Sequence, residues 1–217
     1  MKSNSRYKIG SSVKWFFLYF VLMLVVSIYP ILFSWFAAFK TKQELMTSPN
    51  PLSFPKSFTL KNFADAWTVG RMGRYMLNSI CVTVPTVIGI LFLASMAGFG
   101  FGKLKFPGRD KAFFFILLGM MIPGQALIIS LYYVVVDLKL VNNYLGVILP
   151  TLGTAMPFAC FMMCSFYKDL PDELMDSARI DGCNLFCAFI RVYFPLTFPA
   201  LSALMIFQFM WVWNDLQ

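Results

Sequence analysis

The sequence contains no histidine, and charged side chains make up only 13% of its 217 residues, about half the share found in an ordinary soluble domain. Without histidine the chain lacks the side chain that ordinarily exchanges protons near neutral pH. Acids are the scarcer sign, with 10 Asp and Glu against 18 Lys and Arg. Apolar residues fill the gap: they form 59% of the chain, and aromatics 18%, including 25 Phe. A soluble enzyme, a disordered tail and a disulfide-stapled scaffold are all excluded by this balance. It suits a chain whose solvent is partly lipid.

Five stretches carry no charge: Trp15 to Phe39, Tyr75 to Gly102, Ala112 to Val136, Leu140 to Tyr167 and Val192 to Asn214. Each is longer than the roughly 20 residues a helix needs to cross about 30 Å of hydrocarbon. The expected fold is an all-α membrane protein, a polytopic helical bundle with five spans. Its expected parts are a cytoplasmic tail over 1–14, a first transmembrane helix over 15–39, an extracytoplasmic segment over 40–74 and a membrane core over 75–217. The core holds spans at about 75–102, 112–136, 140–167 and 192–214, with a cytoplasmic loop over 168–191. Because proton relays and ion-coupled carriers place ionisable groups within the membrane, charge-free spans disfavour ion coupling.

Orientation follows from the basic residues. The amino-terminal tail holds Lys2, Arg6, Lys8 and Lys14 without an acid, and the short link after the second span holds Lys103, Lys105, Arg109 and Lys111 against Asp110. Both are assigned to the cytoplasm by the positive-inside rule. The segment from Lys40 to Arg74 carries more bases than acids and argues the other way, but it is outvoted by the tail and the tight link. Within the outer segment, Thr59 is expected to cap a short helix running towards Trp67. The alternative is a poorly ordered connector around Pro49, Pro51 and Pro55. The first apolar run is far longer than the core of a cleaved signal peptide, which favours an uncleaved helix.

Ala94, Gly98 and Gly102 recur every four residues and predict a helix face that a neighbouring backbone can approach closely. Gly102-Lys103 mimics the end of a phosphate-binding loop, yet Ala97 and Leu104 break that pattern at both flanks. A nucleotide must then be bound by another chain if ATP drives any work here. Prolines fall inside the spans at Pro30, Pro85, Pro123, Pro150, Pro157 and Pro199, each removing a backbone donor. The fourth span, with Pro150, Gly153 and Pro157, is the one expected to break. Cys160 with Cys164, and Cys183 with Cys187, repeat at helical spacing, but one pair lies in a span and the other in a reducing compartment. Neither metal binding nor a disulfide is expected. The basic balance reflects topology and anionic lipid, and no pattern suggests nucleic acid.

One loop has both length and acidity: Lys168-Asp169-Leu170-Pro171-Asp172-Glu173-Leu174-Met175-Asp176-Ser177-Ala178-Arg179-Ile180-Asp181-Gly182. Pro171, the early acids and Gly182 predict a helix of about three turns, with Leu170, Leu174 and Ala178 on one side. It is either a solvated connector or a docking knob for a cytoplasmic partner.

This segment resembles the EAA loop of bacterial ABC-importer permeases, whose pattern is EAA, three residues, Gly, nine residues, then I-x-L-P. Here it reads Asp176-Ser177-Ala178, Gly182, then Val192-Tyr193-Phe194-Pro195, with every spacing kept and four mild replacements. The flanking Ala178-Arg179-Ile180-Asp181-Gly182 and Pro195-Leu196 are similar to the sugar-importer, maltose-type branch. So are Phe58-Thr59-Leu60-Lys61-Asn62-Phe63, Leu77-Asn78-Ser79 and Trp213-Asn214-Asp215.

The resemblance implies a non-catalytic permease subunit that forms half of a carbohydrate pathway with a second homologous permease. Two ATP-binding subunits would sit below it, an extracytoplasmic solute-binding protein above, and no cofactor is required. It assigns Glu173, Asp176, Ser177, Ala178, Asp181 and Gly182 to ATPase docking, with Asp176 or Glu173 pairing a basic group, Ala178 permitting close approach and Gly182 the turn. The family has a sixth span, so the sequence is expected to stop short of a complete permease at Gln217. The sugar contacts are not legible; Asn78, Gln125, Tyr132 and Asn143 are guesses, since buried polar groups in spans more often bond neighbouring helices. An ion-coupled carrier predicts intramembrane charges or inverted repeats, and a scaffold protein predicts no stimulation of a partner ATPase by solute.

Overall fold

The computed structural model describes residues 6–215 apart from 49 and 51, with side chains from residue 13 onward. Lys2, Pro49, Pro51 and Gln217 therefore lie outside the described residues, as do the side chains of Arg6 and Lys8. All regular structure among the described residues is helical. The chain divides into two compact units, residues 1–75 and 76–217.

The first unit opens with α1 (Arg6–Ala38), which extends the expected span backwards into the basic tail. Every residue from Val13 to Trp35 is exposed. A helix that is apolar all round suits hydrocarbon rather than water. The described residues of the segment over 40–74 are joined by polar contacts. Thr41 caps α2 (Lys42–Thr47) by accepting the Glu44 amide at 3.3 Å. The Glu44 carboxylate accepts the Lys56 amide at 2.7 Å and the Ser57 hydroxyl at 3.4 Å, and these bonds hold it below the usual carboxylate range. Asn62 donates to the carbonyls of Ala38 and Lys40, and Phe39 stacks on Phe58 at 4.7 Å. The expected short helix is α3 (Lys61–Thr68). Thr59 lies one residue outside the flanking position, where its hydroxyl accepts the Lys61 amide at 3.1 Å.

In the second unit α4 (Met72–Lys103, entering from the first) packs on α7 (Leu145–Asp169) through the small-residue face read from the sequence. Ala94 is fully buried. A Cβ placed on Gly98 would stand 2.6 Å from the Cβ of Met163, and one on Gly102 2.8 Å from that of Tyr167. Ser95 and Tyr167 share a hydrogen bond of 2.7 Å inside this contact, so neither hydroxyl is left unpaired in an apolar setting.

Among the described residues three helices, α1, α4 and α7, are long and apolar enough to cross a membrane. The other two expected spans are not single helices. The third is α5 (Arg109–Leu118), a tight turn over Gly119–Met121 and α6 (Gly124–Asp137), with the pair bent by 103°. Pro123 causes the break: it has no amide to donate and forces Ile122 into an extended conformation, φ −90° and ψ 117°. The last span bends by 73° between Leu185–Leu196 and Phe198–Trp213.

The break expected in the fourth span is not there. α7 runs unbroken through Pro150 and Pro157, as membrane helices can when neighbours and hydroxyls support the backbone; Thr151 and Thr154 both donate to carbonyls one turn back. It begins at Leu145 rather than Leu140, after a turn in which Asn142 has φ +60°.

Candidate coupling site

The loop after α7 folds as the expected helix, α8 (Glu173–Ile180), flanked by Asp172 and Asp181 and nearer two turns than three. Its exit is a Schellman turn. Gly182 takes the left-handed conformation, φ +76°, its amide bonds the Arg179 carbonyl at 3.0 Å, and the Cys183 amide reaches back to Ala178 at 2.9 Å. A β-branched residue at this φ meets its own backbone. Asn184 immediately starts the next helix, α9 (Leu185–Ala188), by accepting the Cys187 amide on its side chain at 2.8 Å. A wider π turn, Phe189–Tyr193, follows, in which the Phe194 amide closes on the Phe189 carbonyl. The short α10 (Phe194–Leu196) and α11 (Phe198–Trp213) complete the described helices.

α8 has two faces. Met175 and Ala178 are buried in the unit's core, with Leu170 and Leu174 packed against it. Ala178 does allow close approach, but of α8 to its own bundle, which removes it from the outward face. Glu173, Asp176, Ser177 and Asp181 are exposed, as is Gly182. Ile180 stands among them 86% exposed, an apolar side chain with nothing over it. Asp176 lies 3.9 Å from Arg179 on the same helix, with both side chains open to solvent, a pairing of little energetic weight.

The tie that sets α8 in place comes from Lys103, at the last turn of α4. Its side chain is only 3% exposed. The ammonium donates to the Leu170 carbonyl and to Asp172 Oδ1, the latter at 2.6 Å. The hydrogen bond and charge of Lys103 hold the Asp172 carboxyl below the usual carboxylate range. In the sequence Lys103 serves as a marker of the cytoplasmic side and as part of a failed phosphate-loop match; the signal for this tie was its place one residue beyond the small-residue face, where a lysine stem can run along a helix contact to a carbonyl. Beneath α8, Tyr193 is fully buried among Phe99, Tyr167 and Phe189. Its hydroxyl faces the Met175 backbone but falls outside hydrogen-bond geometry.

One expectation about the cysteines needs correction. Cys183 and Cys187 are bridged, against the expectation of free thiols, because the break at Gly182 and Asn184 folds their Cα atoms to 5.3 Å. Of the guessed solute contacts, Asn78 accepts the Tyr144 hydroxyl at 2.8 Å and Asn143 accepts the Leu145 amide at 3.0 Å, so both are used within the fold. Gln125 and Tyr132 are exposed.

A helical membrane protein with an ordered acidic loop helix beside the end of its second long helix is the class these features define. Residues 90–216 match the family of binding-protein-dependent transport system inner membrane components. The chain is 33% identical over 195 residues to the diacetylchitobiose uptake system permease protein NgcG of Streptomyces coelicolor, an overlap of 90% of this chain and 64% of that one. It is 34% identical to the arabinooligosaccharides transport system permease protein AraQ of Halalkalibacterium halodurans, over 90% of this chain and 70% of that one. Its fold matches a chain from the crystal structure of a bacterial ABC transporter involved in the import of alginate, with a TM-score of 0.83, 21% identity, and coverage of 99% of this chain and 74% of that chain. The chain thus belongs to the family of binding-protein-dependent transport system inner membrane components, as a multi-pass membrane transport component.

Proposed function

We propose that the chain is the permease subunit of an ATP-driven carbohydrate importer. It forms half of the pathway with a second permease, and α8 docks into a separate ATPase subunit on the cytoplasmic side. The amino terminus lies in the cytoplasm, and an extracytoplasmic binding protein delivers the solute. The relatives' names supply the carbohydrate class, since NgcG and AraQ are both permeases for oligosaccharides. The single observation that carries the mechanism is the outward face of α8: Glu173, Asp176, Ser177, Ile180 and Asp181 stand free on a helix whose other face is packed into its own bundle and tied to α4 through Lys103.

That arrangement suits force transmission. A knob packed on one face moves with the helices that hold it, so closure of a motor around the other face becomes a rigid-body displacement of the spans. Acidic groups recognise a basic cleft and set its register, and Ile180 offers apolar area worth about 1.5–3 kcal/mol when fully covered. Hydrolysis of ATP belongs to the motor, and this chain contributes no catalytic residue.

The test is Gly182→Val in the reconstituted complex. Forcing a β-branched side chain into the left-handed turn costs about 1–2 kcal/mol and displaces the exit of α8. Solute-stimulated ATP hydrolysis and uptake should fall together while insertion and expression of the chain persist. Unchanged stimulation contradicts the assignment.

A further inference from the structure

The chain contains two cysteine pairs with the same four-residue spacing, and only one of them is bridged. Cys160 and Cys164 lie within the regular turns of α7, both buried and both free. Cys183 and Cys187 flank a helix break. One follows the left-handed Gly182 and bonds back to Ala178; the other sits in the turn capped by Asn184. Their Cα separation of 5.3 Å falls inside the span a disulfide bridges without moving the backbone. Both residues are half-buried, not sealed, so small oxidants and thiols reach them.

We propose that Cys183 and Cys187 form a reversible dithiol–disulfide pair that clips the joint between α8 and the last span. On oxidation by a hydroperoxide, the two thiols give up two electrons and two protons. An S–S bond forms, the peroxide O–O bond breaks, and an alcohol and water leave. A dithiol reductant reverses the step by exchange, taking up the bridge as its own disulfide and returning both protons to the cysteines. The closed loop is so short that bridging constrains this joint and nothing else in the bundle. On the cytoplasmic side assigned above, a disulfide persists only transiently, which makes it a redox-responsive device and not a permanent staple. The proposal deepens the coupling reading, because the clipped residues connect the docking helix to the span it would move.

The experiment uses the full chain in membrane vesicles and reads the chemistry directly, without transport. Vesicles are treated with cumene hydroperoxide, denatured, alkylated with N-ethylmaleimide and examined by peptide mass spectrometry. Expected is loss of both alkylation sites on the peptide holding Cys183 and Cys187, with Cys160 and Cys164 still modified, and full recovery after dithiothreitol. Amide hydrogen exchange over residues 182–187 should slow in the oxidised chain and return on reduction. In Cys183→Ser, the oxidant should change neither the Cys187 alkylation nor the exchange. The proposal is overturned if both thiols stay alkylatable after the oxidant, if dithiothreitol fails to restore them, or if oxidant-treated wild type and Cys183→Ser exchange alike. Bridging without any effect of Gly182→Val on ATP hydrolysis would sink the coupling reading and leave this one standing.

Discussion

Lys103 illustrates how one side chain can hold an element in place. Its ammonium is nearly buried, yet its partner Asp172 faces solvent, so the tie is anchored at the lysine end and open at the carboxylate. The pH dependence follows from the depressed Asp172 carboxyl. A carboxylate whose folded value is lowered contributes fully above its ordinary value, 3.8 here, and loses that contribution as pH falls through the lowered folded value. The loop should therefore resist limited proteolysis evenly between about pH 5 and 8 and open only in strong acid, while Asp172→Asn should be more readily cut across the whole range. Tyr193 gives the opposite expectation. Its buried hydroxyl has no hydrogen-bond partner, so Tyr193→Phe should leave thermal stability in detergent unchanged or raised. A fall equivalent to more than about 1 kcal/mol would show that the hydroxyl is satisfied after all.

Among the elements, the contact between α4 and α7 is the most exacting. Gly98→Leu drives a side chain into the Met163 Cβ and backbone, which lie 2.6 and 2.8 Å from the position a Cβ would take. Overpacking of this kind costs about 1–3 kcal/mol, and the melting temperature of the detergent-solubilised chain should drop accordingly. Gly100→Ala, two residues on, meets nothing within 4 Å and should melt like the parent. This face was legible because its signal is a simple repeat of small residues. α8 was legible too, since acids at its start and Gly182 at its end are local instructions. The bent helices were not. Charge-free length says where hydrocarbon begins and ends, but it is blind to whether a proline inside is absorbed or breaks the helix. Pro150 and Pro157 are absorbed, while Pro123, preceded by a tight turn and followed by Gly124, breaks its helix. Lys103 and the cysteine bridge escaped for another reason: each depends on partners set by the fold rather than by neighbours in sequence.

For the molecule as a whole, sidedness decides between the readings. Asp181→Cys should react with a membrane-impermeant maleimide in inside-out vesicles and not in intact cells, above the background of the parent chain, while Lys56→Cys should show the reverse. Labelling of Asp181→Cys from the outer side would remove the docking role. The tie from Lys103 carries a mechanical corollary. Successive residues of a helix are turned by about 100°, so even a fraction of that twist of α4 about its own axis would swing the ammonium off both Leu170 and Asp172. Sliding along the glycine-lined groove, by contrast, would drag the loop with it. Such a helix would act like a key in a lock, passing on a push lengthwise and letting go when turned.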